Sequence, residues 1–332
     1  MIKKIAVLGD GGWGTTLAIH LSKKGFSVSL WGAFPRYVSY LRKKRINKKF
    51  LPGMLIPQSV VINSDLQKVV ADADLIILAV PSQFLRSVLL QLKRCNVSDK
   101  LFLSVSKGIE NSTLLCMHQV IRDVLGKVQL AVLSGPTIAI EVAQGIPTTA
   151  VVASKNAEIA RKIQDVLISG RFRIYSHSDV MGVELGGSVK NIIALACGIS
   201  DGLGFGTNTK AALLSRGLAE MTRLGTAMGA RPHTFSGLSG LGDLVTTCIS
   251  QFSRNRCVGE QIGRGKSLKA ILRKMEMVAE GIATAQSAYR LSIKHKIDMP
   301  ITKEIYLVLY KDKKPKIAVN DLMTRSRKRE FH

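Results

Sequence analysis

Short apolar runs recur through the first half of the chain, at residues 3–8, 27–31, 60–62, 75–80, 101–105, 130–133, 149–153 and 172–175. Runs this brief and this continuous read as strands buried on both faces. Helical periodicity separates several of them, at residues 15–24, 82–92, 113–125 and 157–168. Strand and helix in alternation predict an open, doubly wound parallel sheet with helices on its faces. Near residues 176–180 the period changes. Segments 180–200, 210–228, 267–275, 284–294 and 302–310 repeat their apolar positions at helical spacing, punctuated by glycines at 202–206 and 237–242. The pattern therefore predicts an α/β domain over residues 1–178 with a Rossmann-type doubly wound sheet, followed by an all-α domain over 179–332. Neither an internal repeat nor a low-complexity linker interrupts it, so the cleft between two rigid halves is the expected ligand site.

Composition narrows the class. Of 332 residues, 46% are hydrophobic and 21% charged, enough for a globular core. The absence of an unbroken apolar run of about 18 residues predicts no integral membrane contact. The N-terminus passes directly into a strand, unlike a signal peptide. Five scattered cysteines fit reduced cytoplasmic thiols, and neither they nor the six histidines show metal-ligand spacing. The formal net charge of +25 raises the question of nucleic acid. Its cations are spread along the chain, no nucleic-acid motif accompanies them, and aromatics are only 5%. Attraction of phosphorylated small molecules is the better use of such a field.

The richest stretch is the first. A strand, then Gly9-Asp10-Gly11-Gly12-Trp13-Gly14, then a helix is the order of a dinucleotide site. Gly9 allows the tight turn, Gly11 lets backbone approach a pyrophosphate, and Gly14 lets the helix pack on the strand. An acid about 20 residues further on would ordinarily hold the ribose 2′-OH of NAD. No acid stands between Trp31 and Phe50, where Arg36, Arg42, Lys43, Lys44 and Arg45 stand instead. Cations there suit a 2′-phosphate, so NADP(H) is favoured and NAD(H) possible. The alternative for residues 42–45 is a solvated helix face.

Four clusters carry candidate chemistry. Lys107 follows a strand and should point into the crevice. Gly135 and Thr137 follow the next strand, Gly135 permitting close backbone approach and Thr137 capping a helix. Lys190 shares a helix face with Gly186, Gly187 and Ala194, an odd place for a surface lysine; partial burial would lower its pKa and suit it to acid/base work. Asp243 lies in a glycine-rich turn and could orient an ammonium. Arg254 with Asn255 offers a planar fork and an amide for a phosphate. The ensemble, without a candidate catalytic histidine, suits a dehydrogenase of a phosphorylated small molecule. A related enzyme acting on a 3-hydroxy acid, or a non-catalytic NADP- or nucleic-acid-binding protein, are the alternatives.

Motifs along the whole chain resemble the bacterial NAD(P)-dependent glycerol-3-phosphate dehydrogenase family. They are GDGGWGTTL (9–17), SKGIE (106–110), SGPTIAIE (134–141), ELGGSVKNII (184–193), DGLGFGTNTKAAL (201–213), RGLAEM (216–221), GLSGLGDLVTTC (237–248), SRNR (253–256) and AEG (279–281). The resemblance implies reversible reduction of dihydroxyacetone phosphate to sn-glycerol 3-phosphate for glycerophospholipid synthesis, by a cytoplasmic homodimer. It implies Lys190 as general acid/base with Asp243 holding and tuning it. Lys107, Asn191 and Thr247 would bind the substrate oxygens, Ser253, Arg254 and Asn255 its phosphate, and Gly135 and Thr137 would line the substrate side. Gly9, Gly11, Gly12, Trp13, Gly14, Phe34, Arg36, Lys107, Ala139, Arg254, Val278 and Glu280 would line the cofactor side. The chain departs from the pattern at Ala33, where the family usually has Arg, with Arg36 as its substitute, and at Thr137 and Thr207.

Overall fold

The computed structural model describes residues 2–327, 329 and 330. Eight strands make one sheet: β1 (Lys4–Leu8), β2 (Ser27–Trp31), β3 (Val61–Asn63), β4 (Leu75–Leu78), β5 (Leu101–Ser104), β6 (Gln129–Ser134), β7 (Thr148–Ala153) and β8 (Phe172–His177). Their order is β3-β2-β1-β4-β5-β6-β7-β8. The first six positions follow the order of a dinucleotide-binding sheet, whose connections reverse between β1 and β4 and leave a crevice at the strands' carboxyl ends. Alternate residues of the central strands feed two cores: Ile5, Val7, Leu75 and Ile77 one, Ala6, Leu8, Ile76 and Leu78 the other. Burial on both faces explains why these strands read as continuous apolar runs.

The all-parallel expectation fails at one pair. β6 and β7 are antiparallel, with Leu133 opposite Val152. The link between them holds only the short helix Ala139–Ala143. A parallel return needs a longer crossover, so the chain turns back beside β6. Helix Ala157–Leu167 then carries it to β8, which is parallel to β7. The helix expected from residue 113 begins instead at Met117, because Leu114 takes φ 63° and Cys116 starts the helix, its N–H donating to Gln119 Oε1 at 2.9 Å.

The second half is helical and centred on Val180–Gly202. Asp179 sets its start: Oδ1 accepts from Gly182 N at 2.9 Å, while Oδ2 accepts from Arg231 N and Thr234 Oγ1 at 2.8 and 2.6 Å. This helix is long and apolar enough to cross a membrane by length and composition, yet 94% of its most apolar window is buried inside the molecule. Helices Thr207–Ala227, Asp243–Ile249, Arg254–Gly263, Glu280–Lys294 and Pro300–Tyr310 surround it. It is a core helix, hydrophobic all round because it is covered all round. The basic segment after Lys311 forms helix Pro315–Met323.

Candidate active site

The glycine loop leaves β1 at the reversal point of the sheet. Gly9 has φ 123°, and Gly11 precedes helix Gly12–Lys23, which has no side-chain cap. A Cβ on Gly11 would meet no atom within 4 Å, so an open cradle faces the helix N-terminus. A Cβ on Gly14 would lie 1.9 Å from the Gly9 carbonyl oxygen, which only glycine avoids. Gly12 sits against the Phe50 carbonyl and Ala139, whose own carbonyl accepts from Thr16 Oγ1 at 3.0 Å. The Trp13 ring stands edge-on to Phe172, 6.4 Å between centroids.

Across the crevice lies a cluster of two lysines around one carboxylate. Lys107 Nζ donates to Asp243 Oδ2 at 2.6 Å and to the Gly135 carbonyl at 3.0 Å. Lys190 Nζ donates to Asp243 Oδ1, and to Thr247 Oγ1 at 2.6 Å. Lys190 is only 5% exposed and Asp243 1%. Burial pushes the Lys190 ammonium down to about 8, against the opposing pull of Asp243 and with help from the Lys107 charge. The small face around Lys190 now has its reason. A Cβ on Gly186 would lie 2.4 Å from the Ser239 carbonyl oxygen, and one on Gly187 would lie 2.2 Å from Ser134 Oγ. Gly186 admits the segment that leads to Asp243, and Gly187 admits the end of β6 and the Lys107 side chain. Asp243 is not in a turn, as the sequence suggested. It opens helix Asp243–Ile249 after a π-helical turn at Leu238–Gly242.

Beside the cluster, Asn255 Nδ2 donates to Asn191 Oδ1 at 2.9 Å, and Asn255 Oδ1 accepts from Gly281 N at 2.9 Å. Arg254 Nη1 donates to the Val278 carbonyl at 2.8 Å. Ser253 Oγ caps helix Arg254–Gly263 by accepting from Arg256 N at 3.2 Å. Thr137 does not cap its helix; its hydroxyl donates to the Gly135 carbonyl at 3.1 Å, and Ile138 holds the cap position without a side-chain bond. Glu280 accepts from Ser82 N at 2.9 Å and Ser82 Oγ at 2.5 Å, tying the second half to the turn after β4.

The cations after β2 separate into two groups. Arg42 donates to the Ile62 carbonyl at 2.6 Å and to Asn63 Oδ1 at 2.9 Å, and the buried Arg45 donates to the Val60 carbonyl at 2.8 Å. Both hold the chain around β3; Arg42, Lys43 and Lys44 are exposed, as the solvated-face alternative expects, while Arg45 is buried. Arg36 lines a cavity of about 630 Å³ with Tyr37, Tyr40, Lys48, Lys49 and Glu276. Phe34 lies nearby in sequence and is 71% exposed. Sequence reasoning missed Ser82, Lys48, Lys49 and Asn47. Asn47 pins the glycine loop by donating to the Asp10 carbonyl and Thr15 Oγ1 at 2.8 and 2.7 Å. It also missed Asp10 itself, whose carboxyl lies beside Gly32 at the end of β2.

The family models for the N-terminus and C-terminus of NAD-dependent glycerol-3-phosphate dehydrogenase match residues 4–160 and 179–320. A protein from a Thermoanaerobacter species, named glycerol-3-phosphate dehydrogenase (NAD(P)+), is 51% identical over 331 residues, covering 99% of each chain. The chain belongs to this family. The crystal structure of glycerol-3-phosphate dehydrogenase from Coxiella burnetii is similar, with a TM-score of 0.95 at 38% identity, covering 98% of this chain and 99% of that one. The corresponding Plasmodium falciparum structure has a TM-score of 0.87 at 26% identity, covering 99% and 97%. In this member of the glycerol-3-phosphate dehydrogenase family, Lys107 comes from the first matched region, and Lys190 and Asp243 from the second.

Proposed function

We propose that the chain is an NAD(P)-dependent glycerol-3-phosphate dehydrogenase, interconverting dihydroxyacetone phosphate and sn-glycerol 3-phosphate for glycerophospholipid synthesis. The observation that carries this reading is the single buried carboxylate of Asp243 shared by Lys107 and Lys190, in a crevice that the glycine loop also borders. The residues fit a nicotinamide dinucleotide: the open side of Gly11 and the N-terminal N–H groups of helix Gly12–Lys23 suit its pyrophosphate. When bound, that cofactor supplies the hydride for the substrate's carbonyl carbon.

Lys190 then gives a proton to the carbonyl oxygen as negative charge develops on it, and its neutral amine takes that proton back in the reverse direction. Asp243 and Thr247 fix the Lys190 amine, while the Lys107 ammonium adds positive charge facing the oxyanion. Arg254 and the N-terminus of helix Arg254–Gly263 receive the substrate phosphate, with Asn255 held in place by Asn191 and Gly281. Phosphate binding away from the reacting carbon positions the carbonyl. Residues 1–178 serve the cofactor and residues 179–332 the substrate and a homodimer contact, in the cytoplasm. NADP(H) is the favoured cofactor, NAD(H) being accepted, because Arg36 shares its cavity with Lys48 and Lys49.

The test is dihydroxyacetone phosphate-dependent loss of NADPH and NADH absorbance. Turnover with either supports the reading, and a folded protein that oxidises neither overturns it. Lys190→Ala is expected to lose about a hundredfold or more in turnover while still binding the dinucleotide. Near-normal turnover in that variant would remove Lys190 from its role.

A further inference from the structure

Asp10, a half-buried acid beside the glycine loop, takes no part in the steps above. Asp10 Oδ2 is sealed from solvent and has no hydrogen-bond partner. It does not cap helix Gly12–Lys23, which has no side-chain cap. Its position is defined by Gly32, the residue just after β2. A Cβ built on Gly32 would lie 2.3 Å from Asp10 Oδ2 and 2.7 Å from both Asp10 Cγ and Val38 Cγ2. The carboxyl group, with Val38, therefore occupies the space that a side chain at position 32 would enter. Position 32 continues the alternation of Val28 and Leu30, both buried. In a dinucleotide-binding sheet, the end of the second strand is where an acid takes the hydroxyls of the adenosine ribose. Here the acid arrives from the loop after β1, and glycine at position 32 makes the room.

We infer that Asp10 is a cofactor-discriminating residue: its carboxylate accepts from the adenosine ribose of NAD(H) and opposes the 2′-phosphate of NADP(H). The inference deepens the dinucleotide reading above and rests on it. Two opposed features then set the preference. Arg36, Lys48 and Lys49 attract the extra phosphate, and Asp10 restrains it. A carboxylate that keeps one oxygen without a partner is costly, and a hydroxyl donated to the half-buried group offsets part of that cost. Lys49 and Tyr37 are the titratable groups whose charges couple to it.

The experiment is equilibrium binding of NADH and NADPH, each alone, to the full-length wild-type protein and to Asp10→Asn and Asp10→Ala, with circular dichroism to verify the fold. Both substitutions are expected to shift the ratio of the two dissociation constants about tenfold or more toward NADPH, as removal of a like-charge contact should. Equal weakening of both cofactors in the single variants would mean that Asp10 only shapes the loop, and would overturn the inference. So would an unchanged ratio. If the wild type bound neither dinucleotide, the reading beneath the inference would fall, a result distinct from binding without altered selection.

Discussion

Lys190 holds an ammonium that is almost wholly buried. Desolvation favours the neutral amine, and Asp243 is the main force resisting that. The balance near pH 8 lets one side chain give a proton in one direction and take it in the other. Ketone reduction needs the charged form, so its rate should be level near neutrality and fall as pH rises through about 8. Alcohol oxidation needs the neutral form and should rise over the same interval. In Asp243→Asn the counter-charge is gone and the Lys107 charge remains, so the Lys190 pKa should drop further. The falling limb of reduction should then move to lower pH, with turnover reduced about a hundredfold or more. A pH–rate profile in both directions checks this. A limb that stays in place with reduced height would show Asp243 acting on geometry alone.

The central helix brings that lysine to its partner through its glycines. Gly186 lies nearest that partner's segment, and the atom facing it is a backbone carbonyl, that of Ser239, which cannot rotate away. Alanine in a helix interior ordinarily stabilises by up to about 1 kcal/mol relative to glycine. At position 186 overpacking should dominate, so Gly186→Ala is expected to cost about 1–3 kcal/mol in denaturant unfolding and to lower turnover by displacing Asp243. Stability and activity both unchanged would contradict that close approach. At this scale the sequence was legible where the signal was local. Continuous apolar runs marked all eight strands, and helical spacing marked Val180–Gly202. Strand direction leaves no trace in hydrophobicity, so the antiparallel β6–β7 pair went unseen. Helix Asp243–Ile249 was hidden behind a glycine-rich lead-in that reads as a turn. Contacts between distant residues were also beyond the pattern. Lys107 and Asp243 are 136 positions apart, and the acid beside Gly32 belongs to another strand's loop. Arg42 and Arg45 looked available for a phosphate because their carbonyl partners cannot be read from spacing.

The whole molecule is two halves closed over a crevice. Ser82 with Glu280, Lys107 with Asp243, and Lys49 with Glu276 at 3.9 Å each join the sheet half to the helical half. The field around that crevice comes from a chain with 48 basic and 23 acidic residues. A phosphorylated substrate and a dinucleotide are both multiply anionic, so they should be drawn toward the protein before touching any residue of the site. Screening shortens that reach from about 10 Å at 0.1 M salt to about 3 Å at 1 M. Buried pairs such as Lys190 with Asp243 are screened much less, so chemistry inside the closed site should be indifferent to salt. Hence kcat/KM for dihydroxyacetone phosphate should fall steeply as potassium chloride is raised, carried by a rising KM, while kcat changes little. Steady-state kinetics across a salt series, at saturating cofactor, separates the two parameters. A kcat that fell in parallel with kcat/KM would place the salt effect on the catalytic cluster or on closure of the two halves. A flat kcat/KM would mean that the net charge does nothing for substrate capture, and that Arg254 and its neighbours bind the phosphate by short-range contacts alone.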